Sequence, residues 1–256
     1  MQQLTGMDTL FLTQESERTP LHISPLLIYD PQTAPGGMVR FKDILRLFSS
    51  RLHLAPIFRR RLVEVPFDLD YPWWIESADF DLEFHVRHIA LPKPGDWQQL
   101  CIQIARLHSR PLDRSHPLWE AYVIEGLDNV EGLPPGCFAL FLKMHHAAID
   151  GISGVEIIGA IHDTTPEPQP RENLRARRWR PEPMPGAASL LARAALGNLR
   201  QPGRALQTAG EILPAVRRVR EGLRENRFRT IRERVNTRFN GRITAHRSVD
   251  ARFFPL

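Results

Sequence analysis

The sequence has only two cysteines, Cys101 and Cys137, and no run of about 18 apolar residues that would predict a membrane-spanning helix. The cysteines lack the spacing of metal ligands, so we interpret them as reduced thiols in the core of a cytosolic protein. The first residues lack a basic head followed by an apolar core, so no secretory signal is expected. There is no zinc-finger spacing and no RNA-binding aromatic signature, so no nucleic acid partner is expected.

Apolar residues, by contrast, are plentiful. The 256 residues are 42% hydrophobic, enough for one large domain or two small ones. The net charge is +5, and arginines concentrated in the last third of the chain supply most of the excess. With nucleic acid set aside, a basic surface of this kind attracts an anionic membrane or a phosphorylated cofactor.

The order of apolar segments predicts the fold class. Strands are predicted at residues 21–30, 118–127 and 137–146, with extended segments at 58–67 and within 73–92. Apolar spacing of three and four predicts helices at 41–52, 96–112 and 154–163, the second of them capped by Asp96. This mixture predicts a layered α/β (α+β) domain of sheet and helices. A linker rich in proline and arginine is expected at 166–185, and basic helices at 186–240.

Two adjacent histidines, His145 and His146, end the predicted strand at 137–146. Adjacent strand residues face opposite sides, so one ring should point inward and be held by hydrogen bonds, while the other can face a cleft. A histidine in a cleft can serve as a general base, because its pKa lies near the working pH. Asp150 can bond nearby backbone or an arginine, and Gly151 permits a tight turn.

Three other interpretations compete with a catalytic base. The histidine pair can be purely structural, and the IDGISG segment can be a simple strand-to-helix turn. A metal site would need His145, His146 and Asp150, with His108 or His116 added. The two adjacent rings turn apart, so no metal site is expected.

Several motifs resemble one known family. HHAAIDG at residues 145–151 fits the HHxxxDG pattern of the CoA-dependent acyltransferase superfamily. LHSRPLDRSHPLWEAYVIEGL, with its PLW-E residues at 117–120, resembles the bacterial wax ester synthase/diacylglycerol acyltransferase family. So do MDTLFL, TPLHISPLLIYD, PIFRRRLVEVP, DFDLEFHVRHIALPKPG and FNGRITAHRSV. The resemblance covers nearly the whole chain except residues 166–200. It implies a chloramphenicol-acetyltransferase-like lobe with a mixed sheet flanked by helices.

The resemblance also implies roles for the motif residues. The second histidine is the general base of the family, so His146 is expected to take the proton of a fatty alcohol or diacylglycerol hydroxyl as its oxygen attacks acyl-CoA. Acyl-CoA is then a co-substrate, and no cofactor and no metal are expected. His145 is expected to orient or pack, Asp150 to hold the loop, and Gly151 to close the turn.

Two further residues are candidates for substrate binding. Trp119 and Glu120 are expected either to line the substrate tunnel or to belong to the core with one tethering carboxylate. Cys137 lies at the start of the same predicted strand as the histidines, too far along to be a nucleophile.

Family members have two similar lobes and nearly twice this length, and nothing here matches the Asn-Asp motif of their second lobe. We therefore expect residues 1–165 to form the N-terminal lobe and residues 241–256 to begin the crossover to a second lobe. That C-terminal lobe, in the same enzyme or as a separate chain, is an expected partner. A carrier-protein-dependent, condensation-type acyltransferase and a non-catalytic lipid-binding lobe are the alternative functions.

We expect a cytoplasmic protein. The basic helices after residue 186 either lie on the inner membrane or on lipid inclusions, or they are ordinary solvated helix faces.

Overall fold

The computed structural model describes residues 1–149, 153–163, 181–199, 241 and 243–251, with the backbone alone at 153–156 and 198–199. The helices are α1 (Gly6–Gln14), α2 (Phe41–Arg51), α3 (Leu82–His85), α4 (Trp97–His108), α5 (Ser153–Ile161) and α6 (Ala187–Leu199). The strands are β1 (Gln2–Gln3), β2 (His22–Ile23), β3 (Leu26–Tyr29), β4 (Arg60–Val63), β5 (Trp73–Glu76), β6 (Val86–Ala90), β7 (Trp119–Glu125) and β8 (Phe138–His145). A short 3-10 turn, His146–Ala148, follows β8 directly.

Within the described residues the strands form two sheets. The larger sheet has the order β2-β8-β7-β6, and β3 also pairs with β8. Strand β7 is antiparallel to β8 and parallel to β6. The smaller sheet is antiparallel, with the order β1-β5-β4. The central strands β7 and β8 are almost entirely buried, as expected for apolar runs without alternation.

Helices cover both faces of the larger sheet. On one face, Ile44 and Phe48 of α2 and Ile157 of α5 pack against strand residues that include Ala121 and Leu142. On the opposite face, Leu100, Ile104 and Leu107 of α4 pack against the other set of alternating strand residues. These are Tyr122, Ile124, Ala139 and Phe141. The structure therefore confirms the predicted mixed α/β class with a sheet flanked by helices. Cys101 and Cys137 are free and buried, and burial raises the pKa of both thiols.

A third apolar cluster holds α1 beside the end of β8. It joins Leu4 and Leu12 at the N-terminus to Trp74 of the small sheet, Leu118, and Ala147 in the turn after the histidine pair. Helix α1 begins at a capping box: the Thr5 hydroxyl accepts from the Asp8 amide and the Asp8 carboxylate accepts from the Thr5 amide, each at 3.2 Å. The sequence predictions did not include this helix.

Other elements differ from the predictions in detail. The strand expected at 21–30 consists of β2 and β3, which pair with successive parts of β8 on either side of Pro25. Proline has no N–H to donate to the ladder, which accounts for the interruption. The segment 73–92 contains, between two strands, the single-turn helix α3, whose N-cap Asp81 accepts from the Glu83 amide at 2.9 Å.

The chain divides into two compact units. The larger comprises Met1–Glu64, Tyr71–Met184 and Thr244–Leu256, and contains both sheets. The smaller comprises Val65–Asp70 and Pro185–Ile243, and in it α6 contacts the turn Pro66–Asp68. Most of the expected linker at 166–185 and of the expected basic helices at 186–240 lies outside the described residues, so the predicted domain boundaries stay predictions. Among the described residues, no helix is long and apolar enough to cross a membrane.

Candidate active site

The end of β8 holds the two histidines through backbone hydrogen bonds. The N–H of His145 donates to the carbonyl of Leu118 at 3.0 Å, and the N–H of His146 donates to the carbonyl of Leu21 at 3.0 Å. The 3-10 turn then closes with a bond from the Ile149 N–H to the His146 carbonyl at 3.2 Å. The pair is therefore fixed at the end of the most buried strand of the sheet.

The ring of His145 lies inside the protein, with no exposed surface. Its Nδ1 accepts a hydrogen bond from the Ala147 N–H at 3.0 Å. A neutral imidazole carries one proton, so Nε2 is then the protonated nitrogen. Nε2 lies 3.4 Å from Oε1 of Glu15. That separation is longer than an ordinary N–H···O bond, so the contact is mainly an electrostatic one between the N–H and the carboxylate.

His146, unlike His145, is partly accessible. It stacks on Phe11 of α1, with 5.1 Å between ring centroids and 19° between planes. Burial lowers the pKa of His146 below the ordinary histidine value, and the neighbouring His145 lowers it further. A neutral ring can accept a proton. In the described part of the chain, no protein group forms a hydrogen bond with either ring nitrogen of His146.

The turn after His146 borders a cavity of about 240 Å³ in the larger unit. Ala147 and Ala148 form one wall, Trp74 and Ile157 contribute apolar surface, and Asp8 and Arg60 contribute charges. Typical ligand pockets measure about 300–1,000 Å³, so this cavity is too small to enclose a long-chain substrate by itself. A larger cavity of about 560 Å³ lies between α4 and residues 246–250. Neither His145 nor His146 lines either of these two cavities.

Two residues of the predicted site, Asp150 and Gly151, lie outside the described residues. Trp119 and Glu120, the candidates for substrate binding, lie on β7 and are buried. Trp119 stacks on His85 and Phe48, with centroids 4.6 and 5.8 Å away, and its indole donates to the Phe58 carbonyl at 3.1 Å. Neither Trp119 nor Glu120 lines either cavity described above.

Glu120 belongs to a buried polar group between the strands. It accepts from the Tyr122 hydroxyl at 2.8 Å and from the Lys143 ammonium at 3.2 Å, and Lys143 also donates to the Arg110 carbonyl at 2.8 Å. Burial lowers the pKa of Lys143, while the Glu120 carboxylate acts in the opposite direction. Both hydrogen bonds to Glu120 go to Oε2, and Oε1 lies 3.8 Å from Nη2 of Arg87. The arrangement resembles a tether between strands.

The histidines considered for a metal site have other partners. Nδ1 of His108 lies 2.9 Å from the Ser24 hydroxyl, and the His108 ring meets His22 edge-on at 4.6 Å. His116 stacks on Phe84 at 3.9 Å, and its Nδ1 lies 3.2 Å from Asp113. Within the described ranges, which leave out Asp150, no group of three or more His, Cys, Asp or Glu is arranged to hold a metal ion.

Two residues near the histidines were missed by sequence reasoning. Glu15, just after α1, contacts His145, and Arg114 donates to Glu15 at 2.9 Å. The two are far apart in the chain and follow no spacing rule. The only sequence signal is the position of Arg114, three residues before the PLW segment.

Comparisons with known proteins agree in the family they indicate. A family model for the wax ester synthase/diacylglycerol acyltransferase catalytic domain matches residues 4–256. The Mycobacterium tuberculosis protein Rv3087, whose name provisionally assigns it as a diacylglycerol O-acyltransferase, is 35% identical over 227 residues, or 89% of this chain and 44% of that protein. A probable diacylglycerol O-acyltransferase of the same organism, tgs3, is 38% identical over 82% of this chain and 73% of its own length.

A solved structure is also similar. The wax ester synthase/diacylglycerol acyltransferase from Marinobacter aquaeolei VT8 is 32% identical, covers 62% of this chain and 36% of its own, and superposes with a TM-score of 0.49. The chain thus spans less than half the length of Rv3087 and of this solved protein.

Proposed function

The chain belongs to the wax ester synthase/diacylglycerol acyltransferase family, and from this membership we propose that it forms the histidine-bearing part of an acyl-CoA-dependent O-acyltransferase. The reaction moves a fatty acyl group from acyl-CoA to a long-chain alcohol or to diacylglycerol. The observation that carries the proposal is the contrast within the histidine pair. His145 is buried and hydrogen-bonded, whereas His146 is partly accessible at the end of the buried strand β8, and the next two residues, Ala147 and Ala148, line a cavity.

In the proposed reaction, His146 is the general base. Its neutral imidazole takes the proton of the acceptor hydroxyl while the oxygen attacks the thioester carbonyl of acyl-CoA. The tetrahedral intermediate then expels the CoA thiolate, and the imidazolium returns the proton to that sulfur. General base catalysis of this kind typically contributes about 10²–10⁴-fold in rate. The pKa of His146, lowered by burial, supports this role because the ring is neutral near pH 7.

The other motif residues are assigned supporting roles. We propose that His145 orients the turn, since its Nδ1 holds the Ala147 amide. Asp150 and Gly151 are proposed to hold and close the loop that leads into α5. Trp119 and Glu120 support the sheet from within, and their contact with substrate stays a prediction.

The rest of the cleft is proposed to come from outside this chain. The cavity beside the turn Ala147–Ala148 is smaller than a typical ligand pocket, and Rv3087 is more than twice as long as its match to this chain. A second lobe, in the same protein or as a separate chain, would supply the remaining wall for two long apolar substrates. Association with a membrane or lipid inclusion also stays a prediction, because most of the expected basic helices lie outside the described residues.

The test measures ester synthesis by the complete enzyme that contains this chain. Palmitoyl-CoA is supplied with hexadecanol or with diolein, and ester and free CoA are quantified by chromatography and mass spectrometry. His146→Ala is expected to abolish both products. The matched control is His53→Ala, at a partly exposed histidine in the turn after α2, which is expected to retain activity. Activity only with an acyl carrier protein as donor would favour the condensation-type alternative. Lipid binding without turnover in the unaltered enzyme would favour a binding lobe.

A further inference from the structure

Glu15 is a buried carboxylate surrounded by donors at the end of α1. Its side chain is 6% exposed. Oε1 accepts from the Leu21 N–H at 3.1 Å and lies 3.4 Å from Nε2 of His145. Oε2 accepts from Nη2 and Nε of Arg114 at 2.9 and 3.3 Å. Both oxygens of the Glu15 carboxylate therefore bond to or contact groups that lie next to the histidine pair.

The carboxylate of Glu15 is ionised at neutral pH. Burial by itself raises the pKa of Glu15, but the contact with His145 and the hydrogen bonds from Arg114 and the Leu21 N–H outweigh it and lower the pKa to about 2. A charged acceptor facing Nε2 favours the tautomer in which that nitrogen carries the proton. The same tautomer leaves Nδ1 bare, as its bond from the Ala147 N–H requires.

The same carboxylate is linked to His146 by two other routes. Leu21 donates its N–H to Glu15 and accepts the N–H of His146 through its carbonyl. Nη2 of Arg114 also donates to the Leu12 carbonyl at 2.6 Å, which fixes the last turn of the helix whose Phe11 stacks on His146. The position of His146 thus depends, through the backbone and through the aromatic stack, on groups that converge on Glu15.

We propose that Glu15 is a positioning residue: its carboxylate holds the His145 ring in the Nε2–H form, so that Nδ1 anchors the Ala147 amide and fixes the turn that presents His146. The catalytic consequence rests on the proposed function, in which His146 is the base. The geometric part concerns His145 and Ala147 alone and can be tested without any assay of activity.

A purely structural role for Glu15 makes a different prediction. If Glu15 only ties α1 to Arg114, its loss loosens α1 and lowers stability, but the bond between Ala147 and His145 is not selectively affected. The informative readouts are therefore the protonated nitrogen of His145 and the hydrogen exchange of the Ala147 amide, compared with amides of β7 and β8. Glu17, which is exposed two residues further on, provides the matched control.

The experiment uses the 256-residue chain, labelled with ¹⁵N, as wild type, Glu15→Gln and Glu17→Gln. The wild type is expected to show His145 protonated at Nε2. In Glu15→Gln the Ala147 amide is expected to exchange about tenfold faster, the upper end of what one ordinary hydrogen bond contributes, while core strand amides keep their relative rates. Glu17→Gln is expected to match the wild type.

In the complete enzyme, Glu15→Gln is expected to lower kcat by about tenfold or more with little change in the KM for acyl-CoA, because the base is displaced while the substrate sites remain. Unchanged Ala147 exchange in folded Glu15→Gln would overturn the proposal. If Glu15→Gln fails to fold, the protonated nitrogen of His145 in the wild type is the remaining test. Protonation at Nδ1 would overturn the proposal, and protonation at Nε2 would support it. If His146→Ala kept its activity, the assignment of His146 as the base would be wrong. The hydrogen exchange of the Ala147 amide in Glu15→Gln would still test the role of Glu15.

Discussion

Replacing Glu120 by Gln is expected to destabilise the protein by about 3 kcal/mol, because the variant leaves the Lys143 ammonium buried without its counter-charge. Glu120 on β7 and Lys143 on β8 are direct partners across the antiparallel ladder. Lys143 has no exposed surface, and its ammonium is 3.2 Å from Oε2 of Glu120. Water therefore cannot replace the lost carboxylate without opening the centre of the sheet.

The magnitude follows from the geometry. At 3.2 Å and an effective dielectric constant of about 20, two unit charges attract by about 5 kcal/mol. Glutamine keeps one oxygen that can accept from Lys143 or from the Tyr122 hydroxyl, so part of the interaction survives. The expected loss then falls at the lower end of the roughly 3–5 kcal/mol measured when one partner of a buried ion pair is removed.

Urea unfolding followed by circular dichroism measures the effect. With an m-value of about 3 kcal/mol/M, the midpoint should fall by about 1 M at constant m. Glu125→Gln, on the same strand but exposed beside His88, is the matched control and should change stability by less than about 0.5 kcal/mol. The double replacement of Glu120 and Lys143 by Met should recover most of the loss. A Glu120→Gln midpoint equal to that of Glu125→Gln would refute the view that the pair is desolvated.

Three further predictions concern other groups. The pKa of Glu15 is lowered from 4.5 to about 2, which corresponds to about 3 kcal/mol of stability. This stability is present above pH 4.5 and is lost as the pH falls towards 2. The free energies of unfolding of the wild type and Glu15→Gln, measured in urea, should therefore converge near pH 2. Burial holds the pKa of His22 at about 3, so its ring should remain neutral at pH 5 by NMR; a midpoint near 6.5 would contradict its burial. Trp119→Ala should cost about 3–5 kcal/mol through a core cavity, whereas Trp119→Phe should keep acyl-chain specificity unchanged if the indole serves packing alone.

The elements with the strongest apolar patterns were predicted well from the sequence. The run at 137–146 corresponds to β8, and spacing of three and four residues located α2 and α4, with Asp96 capping α4 by accepting from the Gln99 amide at 2.9 Å. The family and its HHxxxDG motif were also identified from the residues alone. These signals are local, so a single stretch of sequence contains them completely.

The missed elements lack such local signals. Helix α1 carries apolar side chains on several faces, with Met7 and Leu10 exposed and Leu12 buried, so no period marked it. Its capping box at Thr5 and Asp8 was the one available clue. Glu15 and Arg114 come together only because α1 and the loop before β7 fold onto the same end of β8. Tertiary packing brings the two residues together, and no pattern of residue spacing in the sequence predicts it.

The most direct test of the central claim is the single-turnover rate of ester formation by the complete enzyme with His146→Ala, measured beside the wild type and His53→Ala. Circular dichroism and binding of acyl-CoA should first show that all three are folded and loaded. We predict that His146→Ala loses at least about 10²-fold in the rate of the chemical step while acyl-CoA binding persists. A folded, acyl-CoA-bound His146→Ala enzyme that forms ester at the wild-type rate would contradict the assignment of His146 as the base.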